Sequence, residues 1–143
     1  MYAGCAAFTL EGRVKYANLF MAALFVFGAA VQYNDPDPLR WIAVYLAGAV
    51  ACLLANRVRG LYWLPASILV VCISWSLSLM PAVVGRIPFL QMFASWEMKD
   101  SGVEMSREMY GLLIIGGWML VLSIAAIRDR RLRRADSASE GTT

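Results

Sequence analysis

Residues 20–55 read FMAALFVFGAAVQYNDPDPLRWIAVYLAGAVACLLA: two apolar runs on either side of a hinge that holds two carboxylates, an amide and two prolines. A helix rises about 1.5 Å per residue, so about 20 apolar residues cross a hydrocarbon layer of about 30 Å. Each run approaches that length and the hinge cannot cross, which makes the stretch two spans and a turn. Working outward, two further tracts qualify, and the spans are expected at about 16–33, 39–56, 61–84 and 109–127. Residues 1–15 and 128–143 then flank a four-helix transmembrane domain at 16–127, an all-α polytopic membrane bundle.

Composition agrees. With 60% of residues hydrophobic and the charges gathered between the tracts, the chain lies outside the range of soluble globules. It has no histidine, which removes the commonest general base, neutral metal ligand and haem ligand together. Cys5, Cys52 and Cys72 are far apart and form no CxxC pair. Cys52 and Cys72 fall inside apolar tracts, where they read as small packing residues.

Charge sets the expected direction. Arg13, Lys15, Arg57, Arg59 and the run Arg128, Arg130, Arg131, Arg133 and Arg134 occupy the ends and the middle turn. The positive-inside rule therefore makes both termini cytoplasmic, in a plasma (bacterial inner) membrane. The first span is read as retained rather than cleaved, because its leader is long and contains Glu11. The opposite face collects Asp35, Asp37, Glu97, Asp100, Glu104 and Glu108. Residues 87–98, IPFLQMFASWEM, are too short to span and read as an interfacial helix between spans 3 and 4. The arginine run is expected to meet anionic headgroups, with no nucleic-acid role, and residues 135–143 to be disordered.

Several packing expectations follow. The first two spans are a little short, so Tyr16, Tyr33, Trp41 and Tyr45 are expected as aromatic anchors in the headgroup belts, with Tyr62, Trp63, Trp96 and Tyr110. Ala43, Ala47, Ala51 and Ala55 recur every four residues beside Gly48 and Cys52, a flat stripe for a neighbouring helix. Ser67, Ser74 and Ser78 share a face of the third span and are expected to bond back to their own helix and to serve packing rather than line a conduit. Gly111 and Gly116 interrupt the fourth span, and Pro81 kinks or ends the third.

The hinge carries the candidate site. Asp37 before Pro38 reads as an N-cap followed by a first-turn proline. Asp35 faces the negative end of the first helix and wants a cation, for which Arg40 and Arg107 are candidates. Ser101 and Glu104 have capping-box spacing at the start of the last helix, with Glu108 one turn on. The expected cluster is Asn34, Asp35, Asp37, Arg40, Glu104, Arg107 and Glu108. Its favoured role is an ion-pair and hydrogen-bond knot that locks the first helix to the fourth and displays a surface for a membrane-protein partner or a second copy. The alternative is a site for Ca2+, Mg2+ or a lipid headgroup, with catalytic capacity. Covalent catalysis without histidine would need a lysine, and that face holds only Lys99.

With those residues in place, VQYNDPDPLRWIAVY at 31–45 and SREMYGLL at 106–113 resemble the transmembrane protein 220 family over 14–127. The matching positions are Gln32, Tyr33, Asn34, Asp35, Pro36, Asp37, Pro38 and Trp41, with Glu104, Arg107, Glu108 and Gly111 as a second group. The resemblance implies a four-span bundle and carries no reaction or cofactor with it. A non-enzymatic accessory or interaction subunit is the function expected.

Overall fold

The computed structural model describes residues 3–34, 37–58, 60–84 and 101–140, with side chains at 14–33, 37–58, 60–84 and 105–138. Among the described residues four helices follow in order: α1 Ala3–Val31, α2 Pro38–Arg57, α3 Trp63–Val83 and α4 Ser101–Glu140. A 3-10 turn, Gln32–Asn34, closes α1. Each helix contains a stretch long and apolar enough to cross a bilayer, at Val14–Val31, Pro38–Arg57, Trp63–Val83 and Met105–Ala138. The expected 87–98 segment lies outside the described residues.

Local chemistry sets the ends. Pro38 opens α2 at its first position, where the absent amide hydrogen costs nothing. Gly60 adopts φ +74 between α2 and α3, a left-handed turn open to glycine at little strain. Pro81 sits in the last turn of α3, which stops at Val83 and is closed by the Val84 amide donating to the Met80 carbonyl at 2.9 Å.

Two antiparallel hairpins make up the bundle. α1 lies along α2 and α3 along α4, while α2 supplies most of the seam between the pairs. The core at that seam holds Phe25, Trp41, Cys52, Cys72, Leu112, Ile115 and Met119. Cys52 and Cys72 are free, buried thiols, as their apolar context required. Outward faces of α1 and α3 expose Phe20, Phe27, Val70 and Leu77, the surface that lipid solvates.

Five expectations change. Trp41 is only 2% exposed and Tyr45 is half-buried, so both are interior residues rather than belt anchors. Tyr16, Tyr33 and Trp63 are exposed at span ends, as anchors are. The alanine stripe packs at Ala51, beside Gly48 and Cys52, but Ala43 and Ala47 are exposed, because the large rings of Trp41 and Tyr45 make the contacts at their level. Ser67 and Ser78 do bond back, to the Leu64 carbonyl at 2.8 Å and the Trp75 carbonyl at 2.7 Å, yet with Ser74 they face outward instead of packing. Gly111 and Gly116 leave α4 unbroken. Finally, α4 runs to Glu140 where disorder is expected after residue 134. Arginine, leucine and alanine favour helix, and Arg133 pairs with Asp129 one turn back at 3.2 Å.

Candidate functional site

The polar hinge positions its described groups through the start of α2. Asp37 occupies the N-cap position but makes no side-chain cap bond. Its Oδ2 accepts from Arg40 Nη1 at 3.2 Å, an exposed pair one turn apart. Arg40, a candidate partner for Asp35, is thus engaged by Asp37. Asp35 and the side chains of Asn34 and Glu104 lie outside the described residues, so the expected cluster is described only at Asp37, Arg40, Arg107 and Glu108.

Glu108 reaches across helices. One turn into α2, the Trp41 indole Nε1 donates to Glu108 Oε1 at 3.1 Å. The same indole stacks on Trp75 of α3, with ring centroids 5.0 Å apart and planes 28° from parallel. Three helices meet on one tryptophan: its edge serves a carboxylate and its face a second indole. Among the described residues no group of three or more Asp, Glu, Cys or His could hold a metal ion.

Deeper in the seam, Tyr45 lies between two glycines. A Cβ on Gly28 would sit 2.8 Å from the Tyr45 ring, and one on Gly111 2.9 Å from its hydroxyl. The glycines let α1 and α4 approach α2 at the ring's two sides. The ring meets Phe25 at 6.5 Å between centroids.

A third polar contact, absent from the sequence-derived site, lies toward the other end of the seam. Asn18 of α1 is 1% exposed. Its Nδ2 donates to the Cys52 carbonyl at 2.7 Å and to Asn56 Oδ1 at 2.9 Å, while its Oδ1 accepts from Trp118 Nε1 at 3.0 Å. One amide therefore joins α1, α2 and α4. Asn56 Nδ2 is buried without a partner among the described residues, as is Ser76 Oγ. The available signal was polarity inside an apolar tract: Asn18 and Asn56 lie near the ends of their spans, and Trp118, with its indole N–H, lies in the middle of the fourth.

The family model described as Transmembrane family 220, helix, matches residues 24–124, well over half the chain. The chain belongs to that family. The matched region holds both the Trp41–Glu108 bond and the Tyr45–Gly111 contact, and it begins after Asn18. A relative, transmembrane protein 220 of Xenopus laevis, is 32% identical over 112 residues, which is 75% of this chain and 56% of that protein. This member of family 220 thus spans little more than half the length of that curated relative. No solved structure matches it.

Proposed function

We propose that this member of family 220 is a non-enzymatic accessory or interaction subunit of a membrane complex. The observation that supports this is the use made of Glu108: the carboxylate best placed for chemistry accepts a hydrogen bond from an indole that is itself stacked between helices. Such a group fixes helix positions and presents a rigid outer face. On this reading both termini and the turn after α2 are cytoplasmic in a plasma membrane, the hinge and residues 85–100 share the outer face, and the arginine run meets anionic headgroups.

The test is isolation from native membranes in mild detergent. One membrane protein should co-purify in fixed stoichiometry, insensitive to chelator, and be lost when the hinge is altered by Asp35→Asn with Asp37→Asn. A chain that purifies alone, and whose Tm rises with Ca2+ or Mg2+ except in Asp35→Asn or Glu108→Gln, would replace this reading with a divalent-cation site. Topology is read separately by maleimide labelling of single cysteines at Asn34 and Val103 after Cys5 is replaced. Cys52 and Cys72 are buried and give little background.

A further inference from the structure

The five arginines of the α4 extension are not equivalent. Arg130 lies over the Tyr62 ring, 5.4 Å from its centroid, which ties it to the start of α3. Arg133 is held by Asp129 through contacts of 3.2 and 3.3 Å. All five are exposed, but among the described residues no ion pair engages the remaining three, Arg128, Arg131 and Arg134. They stand at i, i+3 and i+6, which places them along one side of the helix about 4.5 Å apart in rise.

That side continues an apolar one. Leu120, Ile124 and Ile127 are all exposed, and they precede Arg128 and Arg131 at steps of three and four residues. A helix face that passes from exposed leucine and isoleucine to unpaired arginine, at the point where the span leaves the hydrocarbon, matches a phospholipid in both order and chemistry. Acyl chain lies on the apolar part and phosphate on the guanidiniums, whose fork geometry suits phosphate oxygens. The phosphate level falls a few ångströms beyond the hydrocarbon edge, about one helical turn, which is the rise from Arg128 to Arg131. Arg134 lies a further turn out, where a second negative charge of a larger headgroup would sit.

We infer that the face Leu120–Ile124–Ile127–Arg128–Arg131–Arg134 of α4 is a binding site for an anionic phospholipid. The inference rests on the bilayer reading and on the meeting of the arginine run with headgroups, and it is independent of the accessory-subunit proposal. It replaces a diffuse attraction by one stripe. Arg130 and Arg133 act within the protein.

The experiment reconstitutes the full chain in phosphatidylcholine vesicles and compares the association of spin-labelled phosphatidylglycerol with that of spin-labelled phosphatidylcholine, from the motionally restricted fraction. Wild type should prefer phosphatidylglycerol, and the preference should weaken as salt is raised. Arg128→Gln with Arg131→Gln and Arg134→Gln should lower the preference about five-fold or more, the effect of at least one surface arginine. Arg130→Gln with Arg133→Gln, which removes two charges to the stripe variant's three, should leave it within about two-fold. Circular dichroism checks that both variants remain helical. Equal losses in the two variants would overturn the stripe while leaving general headgroup attraction in place, and absence of any preference in wild type would overturn both.

Discussion

Trp41 and Glu108 are joined by a 3.1 Å hydrogen bond across 67 positions of sequence, and the pair fixes the register of α2 against α4 near the hinge. Both helices run in the same direction through the bundle, so this bond, the Tyr45–Gly111 contact and the Asn18–Trp118 bond follow one another in order along the seam.

Coupling between the first pair is measurable. Trp41→Phe and Glu108→Leu, which remove donor and acceptor respectively, are each expected to destabilise by about 1–2 kcal/mol, and the double variant by less than the sum, with a coupling of about 0.5–1.5 kcal/mol as for hydrogen bonds inside membrane proteins. Unfolding midpoints in a fixed detergent provide the four corners of the cycle. Strict additivity would mean that the bond contributes nothing.

Asn18 should be the most sensitive polar position. Asn18→Leu strands the Trp118 N–H and the Asn56 carbonyl oxygen at once and is expected to cost about 2–3 kcal/mol. Asn56→Ala removes one acceptor but also a buried amide nitrogen that lacks a partner among the described residues, and should cost under about 1 kcal/mol. Thermal melts of the two variants side by side decide it, and a larger loss for Asn56→Ala would contradict the geometry.

The glycines around Tyr45 make a selective rescue possible. At Gly111 a new Cβ would meet the hydroxyl at 2.9 Å but the ring carbon bearing it only at 3.9 Å, whereas at Gly28 it would meet ring carbons at 2.8 Å. Gly111→Ala should therefore destabilise by about 1–3 kcal/mol, as overpacking does, and recover in a Tyr45→Phe background. Gly28→Ala should lose as much and show no recovery. Gly117→Ala, with open space at its Cβ, should be tolerated.

At the hinge, Arg40→Gln should shift stability by less than about 0.5 kcal/mol, because the Asp37–Arg40 pair is largely in solvent. A melting shift comparable to that of Glu108→Leu would show that the pair reaches into the fold.

Sequence made the spans legible because lipid imposes a length and a charge rule that a single chain displays openly. It also located the serine back-bonds and the closing proline of α3, since those depend only on neighbours along the helix. Trp41 and Tyr45 were misplaced for a physical reason. An aromatic ring within two turns of a span end suits the headgroup belt and the interior equally well, and only the partner on another helix, Trp75, Glu108 or Gly111, distinguishes them. Lipid supplies no contrast between inward and outward apolar faces, so the alanine and serine stripes carried no direction of their own. Asn18 was overlooked because its two acceptors and one donor come from residues 52, 56 and 118, of which only Cys52 stands out in the sequence, and then as a packing residue.

The division into two hairpins bears on biogenesis. Each pair buries most of its mutual surface between neighbours in the chain, so each can leave the insertion machinery as a finished unit. The two bonds that α4 supplies, from Trp118 to Asn18 and from Trp41 to Glu108, then form only after α4 has emerged from the ribosome. A product truncated before α4 would keep the Asn18 bonds to α2 but leave its Oδ1 without Trp118 and the Trp41 indole N–H without Glu108, a state recognisable to membrane quality control. Emergence of α4 and the pairing of these two groups become the same event.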